Sequence, residues 1–295
     1  MRDYIEVFNL YLLDEKKASK NTVESYIRDL NQFVSYCVST KCRDITKVDF
    51  TFLNRYLEYL SVMGKSDATK SRIVASLRCY YRFLLSKGVI DKNPVDKIKL
   101  KKTEKKLPDV LDANEIVLLL AQPDNGEYKG IRDKAMLELL YATGIKVSEL
   151  IDLSINDVNL QVGILHLHNG KKERIIPMYP AAIKSVAEYL VNVRPVIVTD
   201  NNEDKLFTNM TGQHMSRQGF WKIIKHYAET AGIKKEITPH TLRHSFASHL
   251  LENGAKLSDI KEMLGHSDIS STQVYARLMK SKYTAAYSKF HPLAK

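Results

Sequence analysis

The sequence predicts a mainly helical protein of two domains, with one small antiparallel sheet in the second. Three observations carry that prediction. Apolar residues recur at the three- and four-residue spacing of amphipathic helices along most of the chain. One short stretch alternates polar and apolar residues on either side of Asn169-Gly170, the pattern of a hairpin. Between Asn93-Pro94 and Pro108, the segment DKIKLKKTEKKLP is rich in lysine and has little apolar periodicity, as a linker would.

The elements follow in order. Tyr4, Ile5, Phe8, Tyr11 and Leu12 mark a first helix. A second follows the candidate N-caps Ser19 and Asn21, with Val23, Tyr26, Ile27, Leu30, Phe33 and Val34 on one side. Phe52, Leu53, Tyr56, Leu57 and Leu60 mark a third. A fourth spans roughly 67–87, where Arg72, Arg78 and Arg82 interleave with Ile73, Leu77, Tyr80, Tyr81 and Leu84, and Gly88 is placed to stop it. The aromatics read as core rather than as platforms for bases, which leaves the three arginines as the phosphate-contact candidates. The boundaries are therefore 1–98 for an N-terminal helical domain, 99–108 for a basic linker and 109–295 for a C-terminal domain, with a tail from about 280. In the second domain Asp112 and Glu115 form a capping box. A helix through Ala135–Tyr141 ends at Gly144, and the hairpin strands Ile164–His168 and Arg174–Pro177 place Lys171 and Lys172 at or just beyond the turn.

Composition narrows the function. Hydrophobic residues make up 44% and charged residues 27%, the balance of a globular protein with a core. No apolar run approaches the ~18–20 residues that cross a bilayer, and the N-terminus, with Asp3 and Glu6 in a helical pattern, does not read as a signal peptide. Cys37, Cys42 and Cys79 form neither a paired framework nor a CxxC motif, as expected of reduced thiols in the cytoplasm. The net charge is +11. Residues 1–107 hold 22 Lys and Arg against 13 Asp and Glu, whereas the remainder holds 23 against 21. A polyanion would be drawn chiefly to the N-terminal third and to Lys101, Lys102, Lys105 and Lys106 of the linker.

The densest chemical signal is Thr238-Pro239-His240-Thr241-Leu242-Arg243-His244. Thr238 caps a helix, Pro239 suits its first turn, and His240 and Arg243 share a face beside the positive helix end, an arrangement that grips an oxyanion. A second motif is Leu264-Gly265-His266, and nine residues beyond His266 stands Tyr275. By itself Tyr275 is one of 16 tyrosines. His240 and His244 have the spacing of a zinc pair, but the glutamate of HExxH is absent, so no metal is expected. His244 and His249 are assigned packing or supporting places.

Taken together, HTLRH, LGHSDISSTQVYARL and ATGIKVSEL resemble the catalytic motifs of tyrosine site-specific recombinases, the phage integrase family, and are most similar to its Xer type. KNTVESYIRDL resembles the start of the family's N-terminal DNA-clamping domain, and NPVDKIKLKK its linker, so the likeness spans nearly the whole chain. The resemblance implies a two-domain clamp on double-stranded DNA, made of a helical SAM-like core-binding domain and a catalytic domain. It implies cleavage through a 3′-phosphotyrosyl intermediate, in dimer resolution or in integration and excision of an element, with no cofactor. Residue by residue, it implies Tyr275 as nucleophile, His240 as acid–base group, Arg243 and His266 on the non-bridging oxygens, Lys172 (rather than Lys171) as donor to the leaving 5′-oxygen, and Glu149 as a supporting acid. It also implies a tetramer on two DNA sites, through tail exchange or with a paired recombinase. Packing of the tail on its own domain is the alternative.

One position departs from the pattern. The family's ATGLRxSEL motif carries an arginine where this chain has Lys146. Lysine keeps the charge but loses the planar fork, so cleavage is expected to be impaired. An engineered change and a natural active variant are both compatible with this residue. A catalytically weak DNA-binding relative, acting as a regulator, is the rival reading. LSDIKEMLGHSDISSTQVY does have the outline of a helix-turn-helix, but a pure binder needs none of the retained catalytic residues. A type IB topoisomerase and a metal-dependent nuclease are the remaining rivals. The first is disfavoured by the short chain and the Xer-like motifs, the second by the lack of clustered carboxylates.

Overall fold

A computed structural model describes residues 2–42, 44–99, 109–169, 172–200 and 203–265, together with Thr272 and Tyr275. The chain divides into two compact units, 1–105 and 106–295. That division falls within the basic 99–108 segment, of which only Lys99 is among the described residues.

The first unit is four helices: α1 (Arg2–Asp14), α2 (Lys20–Ser39), α3 (Phe50–Val62) and α4 (Asp67–Ser86). Their ends follow local chemistry. Ser19, Asp49 and Ser66 each accept a backbone N–H of the first turn, and Gly88 beyond α4 adopts φ +68. Of the two candidate caps before α2, Ser19 takes the position. The core is aromatic as expected. Phe8, Phe33, Tyr56, Tyr80 and Tyr81 are fully buried, with Phe8 edge-on to Tyr80 at 5.2 Å and Phe33 tilted on Tyr56 at 4.9 Å between ring centroids.

The second unit comprises α5 (Ala113–Leu120), α6 (Tyr128–Thr143), α7 (Val147–Asp152), β1 (Val158–Asn159), β2 (Ile164–Asn169), β3 (Lys172–Pro177), α8 (Pro180–Asn192), α9 (Arg194–Ile197), α10 (Arg217–Thr230), α11 (Pro239–Glu252) and α12 (Leu257–Leu264). The capping box of α5 is present, with Asp112 and Glu115 serving each other's backbone N–H. The central helix α6 is buried on almost every side and packs against α5, α7, α8, α11 and β3.

The strands form one antiparallel sheet in the order β1-β2-β3. The β2–β3 ladder runs from Ile164↔Pro177 to Asn169↔Lys172. Asn169 therefore belongs to the strand, where the sequence expectation placed it in the turn. Leu165, Leu167, Arg174 and Ile176 are buried, while His166, His168, Glu173 and Ile175 alternate with them on the outer face. The short β1 was not legible as a strand, because two residues carry no periodicity. Among the described residues no helix is long and apolar enough to cross a membrane.

Candidate active site

Three motifs far apart in the sequence meet at Arg243. The helix α6 ends at Gly144 and α12 ends at Gly265, both in the left-handed conformation (φ +60 and +65). Glycine is required at each for a second reason. A Cβ on Gly144 would collide with the ring of Phe246, and one on Gly265 would lie 2.5 Å from the Arg174 guanidinium. Arg243, only 3% exposed on α11, donates to the carbonyls of Gly144 and Leu264, both at 2.7 Å. These carbonyls lie at the negative ends of two helices, which hold a guanidinium in place without neutralising it. With five N–H donors in the group and two committed, Arg243 keeps donors for an anion.

His240 stands on the first turn of α11, after Thr238 and Pro239. The Thr238 hydroxyl does not reach a first-turn amide. Instead the Thr241 hydroxyl accepts the Thr238 N–H at 3.0 Å, and the two hydroxyls are 3.1 Å apart. His240 is exposed at the rim, yet the surrounding protein lowers its pKa below the usual 6.5, helped by the charges of Arg243 and Lys146. Its neutral, proton-accepting form is thereby favoured.

Tyr275 is 1% exposed, packed among Phe246, Ala247, Ile260 and Leu264. Its hydroxyl lies 2.9 Å from Nδ1 of His244. Burial raises the phenol pKa, and the positive charge of Arg243 opposes that shift. His244 was assigned only packing or support from the sequence, and its contact with this hydroxyl was not foreseen. The signal available was its position, one residue after Arg243. His249 does fill a packing place, with Nδ1 2.9 Å from the Tyr141 hydroxyl of α6.

A second buried arginine, Arg174 on β3, also escaped the sequence reading. It donates to Glu149 at 2.6 Å and to the Met263 carbonyl at 3.1 Å, joining α7, the sheet and the end of α12. Its signal was the alternation of β3, which places a charge at an inward position beside Ile176. The other Glu149 oxygen accepts the Lys146 backbone N–H at 2.8 Å, closing the start of α7. Lys146 itself is half-exposed, with Nζ 3.9 Å from Glu149.

The remaining candidates divide. Lys172 lies at the start of β3, opposite Asn169 and two residues from Arg174. His266, Lys171, Lys101, Lys102, Lys105 and Lys106 lie outside the described residues. In the first unit, Nη1 of Arg72 donates to Asp29 at 2.6 Å and to Ser25 at 2.7 Å. Arg78 donates to the Ile98 carbonyl at 3.3 Å, and Arg82 is exposed. Arg72 is thus first a structural cation.

A buried arginine held by carbonyls, beside a tyrosine hydroxyl and a histidine biased toward its neutral form, is equipment for phosphoryl transfer to tyrosine. Family comparison agrees. The phage integrase family model matches residues 109–282, and the family's N-terminal SAM-like domain matches residues 5–88. The chain belongs to the phage integrase family. It is 44% identical over 295 residues to tyrosine recombinase XerD of Staphylococcus epidermidis and 43% identical to that of Staphylococcus haemolyticus, covering all of each chain. It is therefore a tyrosine recombinase of the Xer type, an enzyme of site-specific DNA recombination. Among solved structures, XerA recombinase is 26% identical with a TM-score of 0.55, over 98% of this chain and 99% of that one. A post-cleavage complex of XerH with palindromic difH substrate shares the fold, with a TM-score of 0.75 at 24% identity, over 92% and 81%.

Proposed function

We propose that this chain cuts and rejoins duplex DNA through Tyr275, in chromosome or plasmid dimer resolution or in integration and excision of an element. The observation that carries the reading is the convergence on Arg243 of the ends of α6 and α12, with Tyr275 buried beside the same helix.

In this reading the Tyr275 oxygen attacks the scissile phosphorus and the bond to the 5′-oxygen breaks, giving a 3′-phosphotyrosyl ester and a free 5′-hydroxyl. The phenolic proton passes to a histidine. In the resting geometry His244 is the nearest acceptor, in the tautomer that leaves Nδ1 unprotonated. With the phosphate bound, His240 takes that role. Arg243 and His266 hold the non-bridging oxygens as charge builds on them, and Lys172 protonates the departing 5′-oxygen. Attack by another strand's 5′-hydroxyl reverses the step, so no water is consumed and no metal or cofactor takes part. Because Tyr275 rests fully buried, engagement of DNA includes its movement out of the Phe246–Leu264 pocket.

The two units act as a clamp on double-stranded DNA. Arg78, Arg82 and the outward edge of Arg72 lie against phosphates, with the linker lysines and Lys171. The working form is a tetramer on two sites in the cytoplasm, assembled by tail exchange or with a paired recombinase. Lys146 reaches one phosphate oxygen where an arginine would reach two, so cleavage is slowed but retained.

A suicide substrate, nicked beside the scissile phosphate, tests this. We expect a covalent protein–DNA band with the chain as it stands, and a stronger band with Lys146→Arg, by about 10–10³-fold in rate. No band is expected with Tyr275→Phe. Site-specific binding without a band from any form, the arginine variant included, overturns the reading in favour of a DNA-binding regulator.

A further inference from the structure

The outer face of the β2–β3 hairpin brings together two imidazoles and a carboxylate. His166 and His168 are two residues apart on β2 and share a face, and Glu173 of β3 is the register partner of His168. The His166 Nε2 lies 3.6 Å from one Glu173 oxygen, and His168 Nδ1 lies 3.3 Å from the other. The two rings sit 4.1 Å apart between centroids. With one donor atom from each residue, all three donors fall within 4.8 Å of one another. His166 Nε2 is shielded from solvent, and 3.6 Å is too long for a hydrogen bond to the carboxylate, so a buried acceptor or donor is left unmatched.

We propose that His166, His168 and Glu173 bind a divalent transition cation of the zinc class. A tetrahedral ion with bonds of about 2.0–2.2 Å sets its ligands roughly 3.3–3.6 Å apart, and the three donors, all within 4.8 Å of one another, reach that spacing by small side-chain rotations. Two nitrogens and one oxygen suit zinc better than magnesium or calcium, which prefer all-oxygen sets. Water completes the coordination, because His168 and Glu173 face solvent. Such an ion clips β2 to β3 at the last pairs before the connection, next to Lys172. It takes no part in strand transfer; it stiffens the element that bears the lysine. The arrangement is independent of Arg174, which points to the opposite, buried face of the same strand.

Calorimetric titration of the full chain with zinc chloride, with cobalt absorption as a second probe, tests the site. We expect one saturable event, weakened at least about tenfold by His168→Gln or Glu173→Gln. It should persist in His214→Gln, which opens a different surface pair with Asp152 (3.2 Å), and in His240→Gln, which removes the competing pair on α11. Zinc should also slow amide exchange across 164–177 in the parent chain but not in Glu173→Gln, a readout that requires no catalysis. Zinc binding abolished by His240→Gln and kept by His168→Gln overturns the proposal, as does the absence of saturable binding in a parent chain shown by circular dichroism to be folded.

Discussion

Each unit places an arginine beside its core, and the two are held by opposite kinds of partner. In the first unit, Arg72 meets a carboxylate: Asp29, itself 1% exposed, takes Nη1 of Arg72 and the Ser76 hydroxyl, all at 2.6 Å. In the second unit, the hydrogen bonds of Arg243 among the described residues run to carbonyls, and the Glu149 carboxylate, itself bonded to Arg174, acts on it only through space. The first cation, its side chain still 41% exposed, is cancelled by the buried Asp29, so the pair serves the fold. The second is fixed by helix ends yet keeps its charge, a costly state for a protein to maintain unless an anion is to arrive. Arg174 lies between these cases, cancelled by Glu149 but braced by the Met263 carbonyl, and so ties α7 and the end of α12 to the sheet.

Conservative exchanges at the two arginine sites should break this symmetry most sharply. Arg243→Lys retains the charge and at most one carbonyl contact. We expect cleavage of a bound suicide substrate to fall on the order of 10²–10³-fold, with only about 1 kcal/mol lost in urea unfolding. Asp29→Asn should do the reverse. Stability falls by about 1–3 kcal/mol as the ion pair and its hydrogen bonds weaken, discounted for the partial exposure of Arg72, and the cleavage rate of the bound complex is unchanged. Equal activity losses from the two changes would mean that the carbonyl cradle confers nothing special.

The glycines sharpen the same contrast at smaller scale. Gly144 and Gly64 both adopt left-handed backbone after a helix, at φ +60 and +71. A Cβ at Gly64 meets open space, whereas one at Gly144 meets Phe246. Gly64→Ala should cost about 1 kcal/mol, the conformational term alone. Gly144→Ala should cost about 3 kcal/mol, because the clash adds to that term, and it should also lower cleavage by displacing the carbonyl that holds Arg243. Unfolding curves of the two variants measure the difference directly.

How much of this was legible in the sequence depends on whether the information is local. Caps and stops are local: Asp112 with Glu115, Gly88, Gly144 and Gly265 all stand where their residue types require. The aromatic core of the first unit was legible because helical spacing sorts Tyr56, Tyr80 and Tyr81 inward. The hairpin was legible too, but its register was off by one residue, since Asn-Gly marks a turn without saying which residue still pairs. The contacts of Arg174 and His244 could not be read at all. One joins residues 25 and 89 positions away, the other residues 31 apart, and no periodicity encodes a side chain that reaches a distant element. The family resemblance located Arg243 and Tyr275, but gave no hint that carbonyls, rather than a carboxylate, fix the arginine.

The finest test concerns charge rather than contact. His240 has its pKa lowered from 6.5 by surrounding protein first, then by Arg243 and Lys146. If a cation held by carbonyls is what distinguishes this unit, its field should be measurable on that imidazole. A depressed pKa means that the proton-accepting form persists as pH falls through 6.5 and is lost only below that value. The acid limb of cleavage should therefore lie below pH 6.5 in the parent chain. Lys146→Gln removes one positive neighbour, which stabilises the imidazolium, so the His240 pKa should rise back toward 6.5 and the acid limb should follow it. Lys146→Arg keeps the charge and should leave the limb in place while raising the rate. Proton NMR titration of His240 in the three proteins separates these effects. A midpoint that stays put in Lys146→Gln would assign the depression to burial and Arg243 alone, leaving Lys146 only a contact role.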